Sequence, residues 1–359
     1  MPSRDSLRMK RLALVVTAMA LGAMLASIVT EARAQERIPG STIRDRIRDR
    51  MEQRRGDRIA PLGSASRVPG GGPGHESILV KGQARTFVRY TPNSVLVGAK
   101  RAPVVFALHG AKGTADKLQG YLGLNTVADR EGFIVVYPQG ENNRWNDGRD
   151  AAVKGGNETS SADDVGFLNS LADSLVAQGV ADPARLYIMG LSNGGFMSLT
   201  LACDDESRFA GYGAVIASMS QPVKAGCAPK RPLPVVMING TDDQLIRYDG
   251  GDGKFGITGN APPPEVAKHF AALAGCTGAA DAALPDVDPK DGTTVTKRTW
   301  AGCKAGSGVE FYIVKGGGHQ APAMGKTAGS IVLDMFLGTR SHDIDTAETI
   351  WGFVKRFSR

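Results

Sequence analysis

From about residue 75 onward the chain alternates short apolar runs with longer amphipathic ones. Residues 104–108, 133–137, 186–189, 215–217, 235–239 and 311–314 are nearly continuous in β-branched, aromatic or other apolar side chains, the pattern of strands buried on both faces. Residues 78–81 and 86–90 predict an opening hairpin. Between the runs lie helical stretches, of which 163–178 is the clearest. There Leu168, Leu171, Ala172, Leu175 and Val176 recur at i, i+3, i+4, i+7 and i+8, Asp163 and Asp164 stand at the positive N-terminal end, and Gly179 terminates. Residues 193–202, 265–274 and 347–357 predict further helices. Strand–helix alternation of this kind predicts one α/β domain over 75–359, a mainly parallel sheet covered by helices on both faces.

The front of the chain is different. Arg4, Arg8, Lys10 and Arg11 precede an apolar run over 12–29, and Ala32-Arg33-Ala34 stands before Gln35, the layout of a cleaved secretory signal. Residues 1–34 are therefore expected to be a signal peptide, leaving no membrane span after cleavage and a mature chain in the periplasm or outside the cell. Residues 35–74, Arg/Asp-rich and then Gly/Pro-rich, cannot bury enough apolar surface to fold alone and read as a basic, disordered arm.

Hydrophobic residues at 42% and charged residues at 22% exclude a multi-span membrane protein and a wholly disordered chain. The formal charge of +7 comes from the front: residues 1–75 hold 14 basic against 7 acidic side chains, leaving 29 of each beyond. A neutral body offers no electrostatic footprint for nucleic acid.

The decisive motif is Gly190-Leu191-Ser192-Asn193-Gly194-Gly195, directly after one predicted strand and directly before a helix. This is the context of a nucleophile elbow, where a tight strand-to-helix turn presents a serine hydroxyl at the positive end of the helix. In that fold the partners follow in the order serine, acid, histidine. Three histidines follow Ser192. His269 falls inside an amphipathic helix and His342 in a polar loop, whereas His319 ends Gly316-Gly317-Gly318-His319 just after the 311–314 strand and is the expected base. For the acid, Asp242 and Asp243 both follow the 235–239 strand; Asp243 is preferred.

A tetrahedral intermediate needs two backbone N–H donors, one from the residue after the nucleophile and one from a loop after an earlier strand. Asn193 is the first candidate. The second is Ala111, with Lys112 as its alternative, in His109-Gly110-Ala111-Lys112-Gly113; His109 itself is expected to brace the loop. Trp145, an aromatic in a polar loop, either lines the substrate pocket or anchors its loop on the core. No metal-ligand or phosphate-loop motif is present, so no metal and no cofactor is expected.

These residues resemble the secreted polyhydroxybutyrate depolymerase and feruloyl esterase type of serine esterase within the α/β-hydrolase fold. The shared markers include Leu108-His109-Gly110, Tyr137-Pro138-Gln139-Gly140, Trp145-Asn146-Asp147-Gly148, Asp163-Asp164-Val165-Gly166-Phe167, the 190–195 elbow, residues 240–248, 316–319 and Asp343-Ile344-Asp345. The resemblance implies Ser192 as nucleophile, Asp243 as acid and His319 as base. It also implies sequential disulfides, Cys203 with Cys227 and Cys276 with Cys303. The chain departs from the family in reading Gln320-Ala321-Pro322 where Trp-Pro is usual, and Lys112 where Gly is usual. The function expected is a serine carboxylic-ester hydrolase acting through an acyl-enzyme on small or oligomeric esters, of feruloyl or acetyl type. A hydroxybutyrate oligomer depolymerase is the alternative, and a non-catalytic envelope or carbohydrate-binding protein the contender of another class.

Overall fold

The computed structural model describes residues 66–67, 74–97, 101–149, 161–231, 233–254, 257, 259–324 and 336–359. The expected signal segment 1–34 and, apart from 66–67 and 74, the expected arm lie outside these. All described residues belong to the unit Arg58–Arg359.

Eleven strands form one sheet: β1 (Ser66–Arg67), β2 (His75–Val80), β3 (Gln83–Tyr90), β4 (Ala102–Leu108), β5 (Ile134–Pro138), β6 (Ala181–Leu191), β7 (Gly211–Val215), β8 (Pro234–Gly240), β9 (Gly278–Ala283), β10 (Thr294–Ala301) and β11 (Gly308–Lys315). Their spatial order is β1-β2-β3-β5-β4-β6-β7-β8-β11-β10-β9. Every pair from β5 through β11 in that order is parallel, and the flanking pairs on either side are antiparallel. The β2–β3 hairpin turns at Lys81 and Gly82, both with positive φ, so Lys81 belongs to the turn rather than to the strand expected of it.

The helices among the described residues are α1 (Asn93–Val97), α2 (Ala115–Tyr121), α3 (Leu124–Glu131), α4 (Asp164–Ala177), α5 (Asn193–Ala202), α6 (Gln221–Gly226), α7 (Pro263–Leu273) and α8 (Thr346–Val354). They cover both faces because the strands are apolar on both. In β4, Val104, Phe106 and Leu108 point to a core shared with α4, α5 and α7, while Val105 and Ala107 point to a second core shared with α3 and α8. The α4 periodicity is used as read, since Leu168, Leu171, Ala172 and Leu175 are all buried. Its two acids divide the work. The Asp163 carboxylate caps the helix by accepting from the Gly166 N–H at 3.0 Å. Asp164 is buried and pairs with Arg85 of β3 at 2.6 Å, and burial outweighs that pairing to hold its carboxyl above the usual range.

One strand is displaced from its expected place. β7 runs over Gly211–Val215, not 215–217, because its glycines let neighbours approach: a Cβ on Gly213 would meet Met189 Cβ at 2.9 Å and Ile350 of α8 at 3.0 Å. The β6, β8 and β11 strands expected from their apolar runs are present and longer at their ends. No helix among the described residues is long and apolar enough to cross a membrane.

Candidate active site

The C-terminal ends of β6, β8 and β11 lie on the same edge of the parallel sheet, and each delivers one side chain. Ser192 follows β6 with φ 50° and ψ −119°, a strained backbone for a residue with a side chain. What enforces it is space. A Cβ on Gly190 would run into the Gly194 carbonyl, and one on Gly194 into the Leu108 carbonyl, so the turn closes only without side chains. The Ser192 N–H donates to the Val215 carbonyl at 2.9 Å, tying the turn to β7.

His319 Nε2 lies 3.0 Å from Ser192 Oγ, and His319 Nδ1 lies 2.7 Å from Asp243 Oδ2. The other Asp243 oxygen accepts from the N–H groups of Leu245 and Ile246, each at 2.8 Å, which fixes the carboxylate plane. Asp242 is exposed, and its carboxylate accepts a local bond from the Thr241 hydroxyl at 2.7 Å. The loops bearing acid and histidine are laced together: Thr241 N–H donates to Val314, Asp242 N–H to Gly317, and Gly316 N–H to Thr241 Oγ1, each at 2.9 Å. Residues 337–339 brace the histidine loop from behind, through His319 N–H to the Leu337 carbonyl and Gly318 N–H to the Thr339 carbonyl. Nothing in the sequence pattern singled out that brace. His269 instead approaches the Cys227 carbonyl from α7, and His342 approaches Asp291.

Asn193 begins α5, so its N–H is among the helix's first donors, which have no intrahelical acceptor. In the facing loop the Lys112 N–H donates to the Asn143 carbonyl at 2.9 Å, which commits it and leaves Ala111 as the better-placed donor. His109 is buried beneath that loop. Its Nε2 accepts from the Gly140 N–H at 3.0 Å, so the neutral ring carries its proton on Nδ1, 2.8 Å from the Gly110 carbonyl. Burial pushes its pKa down, in keeping with a bracing role.

Of the two roles expected of Trp145, its burial supports loop anchoring and not substrate lining. It has no exposed surface, its indole N–H donates to the His109 carbonyl at 2.8 Å, and its ring stands 5.0 Å from the His109 ring. It anchors the loop; it presents no face to a substrate. The cysteines form Cys203–Cys227, joining the end of α5 to the residue after α6, and Cys276–Cys303, joining the end of α7 to the turn after β10. Among the described residues Asp288, Asp291 and His342 are spaced to hold a metal ion, and none of them hydrogen-bonds to Ser192, His319 or Asp243.

The family described as esterase PHB depolymerase matches residues 86–227. NocK of Nocardia uniformis subsp. tsuyamanensis, a protein named for an esterase, is 30% identical over 256 residues, covering 68% of this chain and 73% of that protein. Feruloyl esterase B of Piromyces equi is 27% identical over 281 residues, covering 74% of this chain but only 44% of its own length. Among solved structures, the acetyl xylan esterase of Aspergillus awamori aligns with a TM-score of 0.46 at 16% identity, covering 72% of this chain and 94% of that one. With its parallel sheet, its helix-covered faces and this degree of sequence identity, the chain belongs to the esterase PHB depolymerase family, serine-type carboxylic-ester hydrolases of the α/β-hydrolase fold.

Proposed function

We propose that the protein is an exported esterase that cleaves small neutral esters through an acyl-enzyme, with Ser192 as nucleophile, His319 as base and Asp243 as acid. The observation that carries this reading is the unbroken chain of contacts from Ser192 Oγ to His319 at 3.0 Å and on to Asp243 at 2.7 Å. Ser192 Oγ attacks the ester carbonyl while His319 Nε2 takes its proton. The carbonyl oxygen gains negative charge and is held by the N–H groups of Asn193 and Ala111. The tetrahedral centre collapses by breaking its bond to the alcohol oxygen, which receives the proton from His319. Water then attacks the acyl-serine by the same route, releasing the acid and restoring Ser192. Asp243 holds the imidazole tautomer and stabilises its cation.

Export is supported by the signal-like residues 1–34 and by two disulfides, bonds that persist in oxidising compartments. Neutral substrates are supported by the equal numbers of basic and acidic residues beyond residue 75, so selection falls to pocket shape. Feruloyl and acetyl esters are the first choice, and hydroxybutyrate oligomers, suggested by the family's description, the second.

The test is a panel of p-nitrophenyl acetate and butyrate, methyl ferulate, acetyl-xylan and 3-hydroxybutyrate oligomers, run on the parent protein and on Ser192→Ala. We expect short-acyl and ferulate hydrolysis, a loss of roughly 10³-fold to 10⁶-fold in kcat for the variant, and fluorophosphonate labelling of the parent alone. Near-normal turnover by Ser192→Ala would sink the mechanism. Reaction with the oligomers only would install the depolymerase reading instead.

A further inference from the structure

The loop that contains Trp145 also contains a buried ion pair that the mechanism above does not use. Asp147 and Arg149 are 1% and 6% exposed. The guanidinium Nε donates to both Asp147 oxygens, at 3.1 and 2.9 Å. A buried pair of this kind is weak evidence for stability, because removing two charges from water offsets much of their attraction. Its placement points elsewhere.

The other partner of the Asp147 carboxylate among the described residues is the side chain of Asn193, whose Nδ2 donates to Oδ2 at 2.6 Å. The same amide nitrogen donates to the Trp145 carbonyl at 3.1 Å, and its Oδ1 accepts from the Trp145 N–H at 2.8 Å. Both Nδ2 hydrogens and the carbonyl oxygen of Asn193 are therefore engaged, and its side chain has one orientation available. Two more contacts lay the loop along α5. Arg149 lies 4.1 Å over the Phe196 ring, and Thr200 Oγ1 donates to the Asp147 carbonyl at 2.7 Å. Asn193, Phe196 and Thr200 fall at i, i+3 and i+7, a single stripe of the helix.

We infer that Asp147 and Arg149 are positioning residues that set the direction of the Asn193 N–H toward the developing oxyanion. The inference rests on the reading of Ser192 as nucleophile. Asn193 occupies the first turn of α5: its N–H makes no intrahelical bond, while the Ser192 carbonyl of the same peptide accepts from the Phe196 N–H at 2.9 Å. The helix thus holds the carbonyl end of the Ser192–Asn193 peptide, and the Asn193 side chain is the handle by which the loop holds the other end. Asp147 completes the grip, and Arg149 supplies the charge that lets a carboxylate be buried there. An oxyanion donor acts through geometry established before the reaction, so a displaced N–H costs rate without costing substrate binding.

The experiment replaces the pair together, Asp147→Leu with Arg149→Met, which leaves no unpaired buried charge. Three quantities are read: kcat and KM for p-nitrophenyl butyrate, and the inhibition constant of an alkyl trifluoromethyl ketone, whose hemiketal anion occupies the oxyanion position. We expect kcat to fall ~10-fold to 100-fold with KM unchanged, and inhibitor affinity to weaken by a similar factor. Adding Asn193→Ala should cost little more, because both changes break the same grip. Asp147→Asn with Arg149→Met, which keeps an acceptor for Asn193 and leaves no buried charge, should lose less than the double variant Asp147→Leu with Arg149→Met. A purely structural role would lower the melting temperature while leaving kcat and inhibitor affinity in place, and that result overturns the inference. If the double variant does not fold, Asn193→Ala alone, with both charges still paired, must show the same joint loss; an unchanged kcat there overturns it equally. Ser192→Ala separates the two readings: if it stays active the nucleophile assignment has failed, and if it is inactive while the double variant keeps its kcat, only the positioning role falls.

Discussion

Asp243 and His319, 76 residues apart in the chain, meet at 2.7 Å with both side chains buried, whereas the neighbouring Asp242 faces solvent. A buried carboxylate against imidazole Nδ1 holds one tautomer and stabilises the cation that forms; an exposed one, a residue away, does neither. Asp243→Asn should therefore lose on the order of 10³-fold to 10⁴-fold in kcat, and Asp242→Asn less than about tenfold. Steady-state rates on p-nitrophenyl butyrate decide it, and the reverse ranking would transfer the role to Asp242.

Trp145 offers a second test. Truncating a fully buried indole to Ala should cost about 3–5 kcal/mol of stability and slow every ester in proportion, since what is lost is the loop rather than a substrate contact. Trp145→Phe keeps most of the packing and should be milder. Melting temperature, together with rates on acetate and ferulate esters, checks this. A loss confined to ferulate at unchanged melting temperature would restore Trp145 to the pocket.

His109 makes stability depend on pH, and the sign follows from its burial. Its folded pKa lies below the ordinary value of 6.5, so between the two values the unfolded chain holds the proton and the folded chain does not. Its contribution is complete above about pH 6.5 and is lost as pH falls from there toward the folded pKa, by at most ~1.4 kcal/mol per pH unit. His269 is shifted the same way, so the measurement is a difference. Melting curves from pH 8 to 5 should fall less steeply for His109→Gln than for the parent; parallel curves would refute the assignment.

The Cys203–Cys227 bridge closes a segment spanning 24 positions and begins one residue beyond α5. Replacing both cysteines with serine should remove about 2–4 kcal/mol, measured by urea denaturation under oxidising conditions. An unchanged midpoint would mean that the bridge adds nothing to stability.

The parallel strands and the Ser192, Asp243 and His319 constellation were legible in the sequence because each rests on local signals: an apolar run, then a glycine-bearing turn, then the polar residue. β9 was not, since all six of its residues are exposed and Ala-rich, and it is held by backbone pairing and the Asp281–Arg298 ion pair. β10 was missed beside it for a related reason, as only Val295 in its eight residues is buried. The burial of Asp147 and Arg149 was equally hidden. Charged residues in a loop read as solvent-facing, and only the packing of that loop along α5 makes them interior.

The residues of the candidate site come from distant parts of the chain. Ser192 is placed by β6, near the middle of the chain, whereas His319 follows β11, the last strand of the sheet in chain order, which pairs with β8 across an excursion through α7, β9 and β10. Pairing across such an intervening stretch is slow compared with helix formation. Ser192 and His319 are 127 positions apart in the chain while their side chains meet at 3.0 Å. A chain ending before β11 would keep Ser192 and Asp243 and lack the histidine that joins them.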